Sequence, residues 1–463
     1  MLVLGYLLFS LKDDALKHIP YSGEGSKKRR LKQYKFHAKR LYSEGYRNCY
    51  AAAPEDVLSP HAPFEEFVEA SITEINVTSQ ALIHSVKQDL TPSLGKATPE
   101  LSVVAREAVL SELPSCPDWS EVDIHHALVR IVTIVSGWMF VGPEYCRTEE
   151  YMDLAANYAA DAFGGPKLLQ IFPKRSRAFV APLLPPLRRV WKAHRRITTL
   201  LGPAIQARRD AALAGHEVPD DMLQWIIKNA HRFPAEIKAD GDIARLQLSL
   251  SAVAIHTTAL TATATLYDLA AEPEILSDVR REISDVLRKH DGKITSKTLF
   301  DMKLLDAVCK ESQRLNPADL LSARRRVMKP FKFSDGVSVP PGTMLAVPVH
   351  HIGRDRNLFP DNPDKFDPYR FTKLRQNDGE GNHFQFASVT NGTMAFGWGK
   401  HACPGRFFAS SEIKLILIHL LSFYDIEVTA GPDGLKKRYS NFELGNMNMP
   451  DVTRKLLFRK IAD

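Results

Sequence analysis

Ten residues near the C-terminus, Phe396-Gly-Trp-Gly-Lys-His-Ala-Cys-Pro-Gly405, set one cysteine between glycines just where an apolar helical stretch begins. Glycines permit positive φ and a close backbone approach that a side chain would block. Backbone N–H groups can then face the sulfur, and the following helix N-terminus adds a field that favours negative charge. The thiolate so favoured is the form that binds metal. No second cysteine lies near Cys403, so a four-ligand zinc site cannot be assembled around it. A single thiolate suits an iron whose equatorial positions come from a porphyrin. Cys403 is therefore the expected metal ligand. A lone cysteine in a glycine-rich turn is more often only structural, so the reading needs support elsewhere in the chain.

Two upstream segments supply it. Glu311-Ser-Gln-Arg314 places an acid and a base three residues apart, on one helix face. Phe366-Asp-Pro-Tyr-Arg-Phe371 brings Arg370, which can close a charge-paired triad with them. Buried charges of this kind need full pairing, so each member should resist replacement. The three segments, in this order and with the Phe-x-x-Gly-x-x-x-Cys-x-Gly spacing, resemble the haem-thiolate cytochrome P-450 monooxygenases, and in texture most resemble fungal microsomal members acting on diterpenoid-type substrates. The resemblance runs from about Leu58 to the end of the chain. It implies a mainly α fold with a small β region, a long central helix over haem b, and the Cys-ligand loop on the proximal side.

The same resemblance implies roles for other residues. Phe396 is expected against the thiolate face and Trp398 over a haem edge, with Gly399 and Gly405 shaping the loop. His401, with Arg325 or Arg326, would meet the haem propionates, and His84 and Lys87 would supply a further contact. On the distal side Thr257 is expected to deliver protons, with Thr258 beside it. His256 stands where the family usually has an acid, and Ala254 where glycine is common. A histidine can relay protons near neutral pH. The alternatives are a Thr257 hydroxyl bonded back to its own helix and a packed His256. Ser251, Val253, Ala254, Leu320, Leu321 and Met447 are expected to line a largely apolar substrate pocket.

The elements that position these residues are helical by periodicity. Helices are expected over Thr98–Leu113, Asp123–Val141, Pro185 to a stop at Gly202-Pro203, Asp242–Ala271, Pro273–Lys289, Thr298–Leu315 and Pro404–Phe423. Strands are expected at Phe331–Val339 and Thr343–Val349. The Asp242–Ala271 stretch carries few charges in its middle and should be buried all round, as the spine of the domain. With 463 residues, 44% hydrophobic and 25% charged, the chain can bury a large core. It has no repeats, no long linkers and no dinucleotide-binding fingerprint. The five cysteines form no CxxC pair, which argues against a disulfide framework.

The apolar run that opens the sequence is about ten residues, short of the roughly 20 that span a bilayer. Residues 1–25 are read as a short, remnant anchor, and 26–463 as a single cytochrome P-450 domain. Eight Lys/Arg and no acid fall between Ser26 and Arg40. Without them the net charge of +7 becomes −1, so the basic character is local and does not describe a nucleic-acid surface. An apolar start followed by cations suits the cytosolic face of the endoplasmic reticulum membrane. Part of an N-terminal β-hairpin, expected by resemblance before Ala53, has no counterpart in the sequence.

The function implied is insertion of one atom of O2 into a hydrophobic, terpenoid-like secondary metabolite. Electrons would come from a separate NADPH-cytochrome reductase, with cytochrome b5 as a second donor, meeting cations such as Lys400 and Arg406. The alternatives are a shortened, non-catalytic haem-binding relic, or a haem-thiolate enzyme of desaturation, rearrangement or peroxide chemistry.

Overall fold

The computed structural model describes residues 53–461 apart from 334–335, 377–380 and 432. The apolar segment and the basic stretch of the N-terminus lie outside the described residues. Helix α1 spans Thr91–Glu112 and α2 Ile124–Val141, where Asp123 caps the first turn by accepting the His126 N–H at 3.1 Å. The helix α3, Glu149–Leu169, is capped by Thr148. Next come α4 (Pro185–Leu213), α5 (Asp240–Ala271), α6 (Pro273–Lys289), α7 (Lys303–Leu315) and α8 (Arg406–Phe423).

The strands form small sheets. One has the order β1 (Leu58–Ser59), β3 (Ser322–Val327), β4 (Met344–Val347). Another has the order β2 (Ser120–Val122), β8 (Leu456–Lys460), β5 (Tyr424–Val428). Both are antiparallel throughout. A third pairing is the hairpin β6 (Asn441–Leu444) and β7 (Met447–Pro450). The expected mainly α architecture with a small β region is present.

The spine is α5. It packs against α2, α3, α4 and α7, and Leu246, Ile255, Ala259, Ala262 and Leu266 are all buried within one large cluster. Helix α2 is long and apolar enough to cross a membrane, yet 72% of it is buried inside the fold, which makes it a core helix here.

Helix α1 begins at Thr91, seven residues before the expected Thr98, and two further expectations about elements are corrected. Helix α4 does not stop at Gly202-Pro203 but runs through Pro203 to Leu213. Proline removes one helix hydrogen bond, and burial of Leu201 and Ile205 on either side holds the helix together across it. The stretch 298–315 is two helices, Ser296–Asp301 and α7, divided at the fully buried Met302. Helix α3, which the sequence reading did not anticipate, carries Gly164-Gly165-Pro166 inside it. A side chain at Gly165 would meet Leu187 at 2.6 Å, so its glycine lets α4 approach closely.

Candidate active site

The cysteine loop is a closed turn. The Cys403 N–H donates to the Phe396 carbonyl at 2.7 Å, and the Ala402 N–H donates to the Gly399 carbonyl at 3.1 Å. Gly397 has φ +81°, a conformation that favours glycine, while a Cβ there would only touch His401 O and Ala402 Cα at 3.4 and 3.5 Å. Gly399 also has positive φ, while Gly405 is the N-cap of α8 and meets no protein atom within 4 Å of where a Cβ would lie. The Phe396 ring sits 5.6 Å from that of Phe386, and Trp398 packs beside the cluster that includes Val327 and Met394.

Among the described cysteines, Cys116, Cys146 and Cys309 are buried and Cys403 is exposed. Surrounding protein nonetheless desolvates the Cys403 thiol and pushes its pKa up. Together these facts describe a sulfur that opens onto an internal cleft. The N–H groups of Gly405 and Arg406 and the Arg406 charge oppose the upward shift without cancelling it. The loop's N–H groups and the Arg406 charge thus act toward the thiolate, against the burial of the site. A bound metal is what deprotonates a coordinating thiol outright.

Beside the loop is a group of cations. Burial, and then the nearby Arg325 charge, hold the His401 imidazole down to about 4. Its Nε2 lies 3.4 Å from Glu55, which also pairs with Lys400 at 3.4 Å. Lys87 reaches across from the distant segment 86–90 and donates to the Lys400 carbonyl at 3.4 Å. His84 is placed differently, accepting from Arg232 at 3.0 Å with its ring 5.5 Å from Phe233. Arg325 and Arg326 separate by strand alternation. Arg325 is buried near His401, whereas Arg326 pairs with Glu66 and the Gly342 carbonyl on the other side of β3. Arg326 is thus removed from the expected cation group.

The triad is assembled. Glu311 and Arg314 make a two-bond pair, Oε2 with Nε and Oε1 with Nη2, both at 2.7 Å. Arg370 Nε donates to Glu311 Oε1 at 3.0 Å, and so does the Asp367 N–H. Arg314 also donates to the Gly353 carbonyl and, at 2.7 Å, to that of Pro363, with its guanidinium 4.7 Å above Phe359. Arg370 donates to the carbonyls of Asp361, Asn362 and Lys365 at 3.1–3.3 Å. This satisfies the guanidinium groups as burial requires.

A second buried network, which the sequence reading missed, pins the segment that carries Phe386. Lys310 Nζ donates to the carbonyls of Gln385 and Ser388 at 2.9 and 2.8 Å. Asp306 accepts from Arg375, Lys414 and the Phe386 N–H at 2.9–3.0 Å. Lys310 adjoins Glu311, and its only signal was that neighbourhood.

On α5, Val253 and Thr257 are exposed and Ala254 is partly so, while Ile255, Thr258 and Ala259 are buried. An accessible stripe on a helix enclosed by its neighbours is the wall of a cleft. The Thr257 hydroxyl donates back to its own helix, to the Val253 carbonyl at 2.7 Å, which is the alternative given for it, so toward other groups it can act only as an acceptor. His256 points elsewhere, its Nε2 2.7 Å from the Ala156 carbonyl of α3. The structure thus seats His256 as a tie between helices rather than beside Thr257, and buries Thr258 to 3% exposure. Ser251 is likewise turned inward, donating to the Gln247 carbonyl at 3.0 Å and lying 3.3 Å from Tyr151 Oη. These three are corrections to the expected distal residues; a helix turns about 100° per residue, so neighbours in sequence face different ways. The turn carrying Leu320 and Leu321 meets the hairpin end, with the Leu320 N–H donating to Asn446 O at 2.7 Å and Met447 43% exposed.

The donor set fits a planar metal macrocycle bearing two carboxylates. It offers one accessible sulfur, the Arg325 guanidinium with the His401 imidazole beside it as a neutral hydrogen-bonding group, and an accessible stripe of small side chains for the opposite face. Among the described residues no cluster of three or more His, Cys, Asp or Glu suits a metal held by protein alone.

Comparison with known proteins agrees with this reading. The family model for cytochrome P-450 matches residues 113–451. The chain is 34% identical to the cytochrome P-450 monooxygenase ATR3 of Stachybotrys chlorohalonatus over 87% of this chain and 85% of the relative. It is 35% identical to the cytochrome P-450 monooxygenase olcJ of Penicillium canescens over 89% of this chain and 77% of that protein. It is also 35% identical to the ent-kaurene oxidase of Gibberella intermedia, over 81% and 69%.

Proposed function

This chain belongs to the cytochrome P-450 family, a haem b oxidoreductase that incorporates molecular oxygen, and we propose that its substrate is a bulky, hydrophobic, terpenoid-like secondary metabolite. Its similarity to an ent-kaurene oxidase and the apolar residues Val253, Ala254, Leu320 and Met447 around the cleft support that class. Haem b, when bound, supplies the iron chemistry that activates O2.

The protein's own residues do the rest. Cys403 would hold the metal, and its loop geometry is kept by Gly397 and by the Cys403–Phe396 backbone bond. His401 and Arg325, with Lys87 near them, would receive the propionates. Thr257 would accept hydrogen bonds at the distal wall and so order water beside the reacting face. The apolar stripe excludes bulk water and orients the substrate. Electrons would come from a separate NADPH-dependent reductase, with cytochrome b5 as a second donor, docking near the exposed Lys400. Arg406 is less available, since it folds onto the Cys403 carbonyl at 2.9 Å and over Phe407. The apolar start and the eight cations that follow support a place on the cytosolic face of the endoplasmic reticulum membrane.

The accessible, loop-constrained Cys403 carries the reading. In the full chain, a reduced, CO-treated spectrum should show the thiolate-ligated band, and Cys403→Ser should abolish it. NADPH consumption with a reductase and a panel of diterpenes then tests the substrate class. A wild-type spectrum typical of nitrogen ligation refutes the site, and consumption unchanged by every terpenoid refutes the substrate class.

A further inference from the structure

Cys403 lies between two segments of chain, and both are fastened to one face of α7. Asp306 and Lys310 stand one helical turn apart and therefore share that face. Lys310 is 1% exposed. Its ammonium donates at 2.9 and 2.8 Å to the carbonyls of Gln385 and Ser388, the two ends of a turn that the Ser388 N–H closes on Gln385 O at 2.9 Å. The same nitrogen stands 5.5 Å from the centre of the Phe371 ring. Asp306 Oδ2 accepts the Phe386 N–H from inside that turn, at 2.9 Å. Its Oδ1 accepts from Lys414 of α8, also at 2.9 Å.

From the turn, the route to the sulfur continues by packing. Phe386 is fully buried, and its ring lies 5.6 Å from that of Phe396 at 55°. The Phe396 carbonyl is the acceptor of the Cys403 N–H at 2.7 Å. On the other side of the sulfur, Gly405 caps α8, and Lys414 anchors that helix further along. The loop side is thus held through Lys310 and Phe386, and the helix side through Asp306 and Lys414. A buried ammonium is costly. What Lys310 gives in return, and an apolar side chain of its length does not, is a pair of hydrogen bonds that fixes where the turn 385–388 sits.

We infer that Lys310 is a positioning residue for the sulfur ligand: it fixes the turn 385–388 and, through the Phe386–Phe396 contact, the loop backbone that keeps Cys403 on the iron. The inference rests on Cys403 as the metal ligand. Lys310 bonds to residues 385 and 388, so it acts on Cys403 through Phe386 and touches no reacting atom.

The test reads the reduced, CO-treated spectrum of the full, haem-loaded chain, in which thiolate ligation and its loss give separate bands. Lys310→Met keeps the length of the side chain and deletes both bonds. With far-ultraviolet circular dichroism matching wild type, the ratio of thiolate band to the other should fall about fivefold, the scale of a net hydrogen-bond loss. Phe386→Leu breaks the ring contact, keeps the N–H bond to Asp306, and should lower the ratio about fivefold as well. The two residues lie on one route, so the double variant should again fall about fivefold, whereas independent losses would multiply to about 25-fold. Should Lys310→Met take up no haem, Lys310→Gln, which keeps a donor, takes its place in the same cycle. A Lys310 variant within twofold of wild type, or a double variant that multiplies the two losses, overturns the inference alone. A wild-type chain with no thiolate band overturns Cys403 as the ligand, and the inference with it.

Discussion

Replacing Glu311 by glutamine keeps its shape and deletes its charge. In the native site Oε1 accepts three hydrogen bonds, from Arg314, Arg370 and the Asp367 N–H, and Oε2 accepts one from Arg314. An amide can put oxygen at one of these sites only. The other becomes an NH2 facing a guanidinium, donor against donor. Glu311 has no exposed surface, and the guanidinium of Arg314 has none either. Removing one partner of a buried ion pair costs about 3–5 kcal/mol. The backbone carbonyls that also receive Arg314 and Arg370 survive the change, which favours the lower end, ~3 kcal/mol. At about 1.4 kcal/mol per decade, that is roughly a hundredfold in the opening equilibrium of the helix. Native-state hydrogen exchange of the α7 amides in Glu311→Gln should show protection reduced by about that factor. Protection within threefold of wild type, together with a normal thiolate spectrum, would refute the argument that this triad holds the proximal side together.

Thr257→Ala should keep the CO spectrum and raise hydrogen peroxide release per NADPH severalfold if, as proposed, its hydroxyl orders water at the distal wall; an unchanged ratio removes Thr257 from proton delivery. His256→Phe, by contrast, should leave that ratio within twofold and cost only the bond to Ala156, and a large rise in peroxide would restore His256 to the proton path. Burial raises the Glu412 carboxyl from its ordinary 4.5 to about 8, with Ser136 donating to one oxygen at 2.6 Å and the other oxygen unpartnered among the described residues. The folded state therefore holds a proton that the unfolded chain releases above 4.5, so this group's contribution declines by about 1.4 kcal/mol per pH unit from there to about 8. Glu412→Gln should gain stability over wild type as pH rises through that window, measured by urea midpoints near both ends, and a difference independent of pH would exclude Glu412 as the source.

What the sequence made legible was chemistry confined to a few adjacent residues. The Cys403 loop needs glycines at fixed offsets, and Glu311 and Arg314 need only one helical turn to meet, so spacing alone conveys both. The long apolar α5 was legible because it has almost no charged face, although the expected burial all round is broken by the exposed Val253 and Thr257. Other features depended on partners far along the chain. Lys310 looks like an exposed lysine until Gln385 and Ser388 supply its carbonyls. The state of the Cys403 thiol also depended on distant packing, since the desolvation that raises it comes from protein the loop sequence does not show. Helix α4 crossed Pro203 because tertiary burial of Leu201 and Ile205 outweighed a local stop signal.

The errors at the site were instead errors of direction, and part of the correction was available from periodicity. In β3, Val327 must face the core, and residues two apart share a face, so Arg325 had to point inward with it and Arg326 outward to water or an acid. The same argument on α5 puts Val253 and Thr257 on one face, four residues apart, and carries His256 and Thr258 round to others. Candidate residues taken as a contiguous block, 256 to 258, therefore could not all serve one face of a ligand. Helical intervals keep the expected Val253 and Thr257 together and leave His256 to the helix it supports.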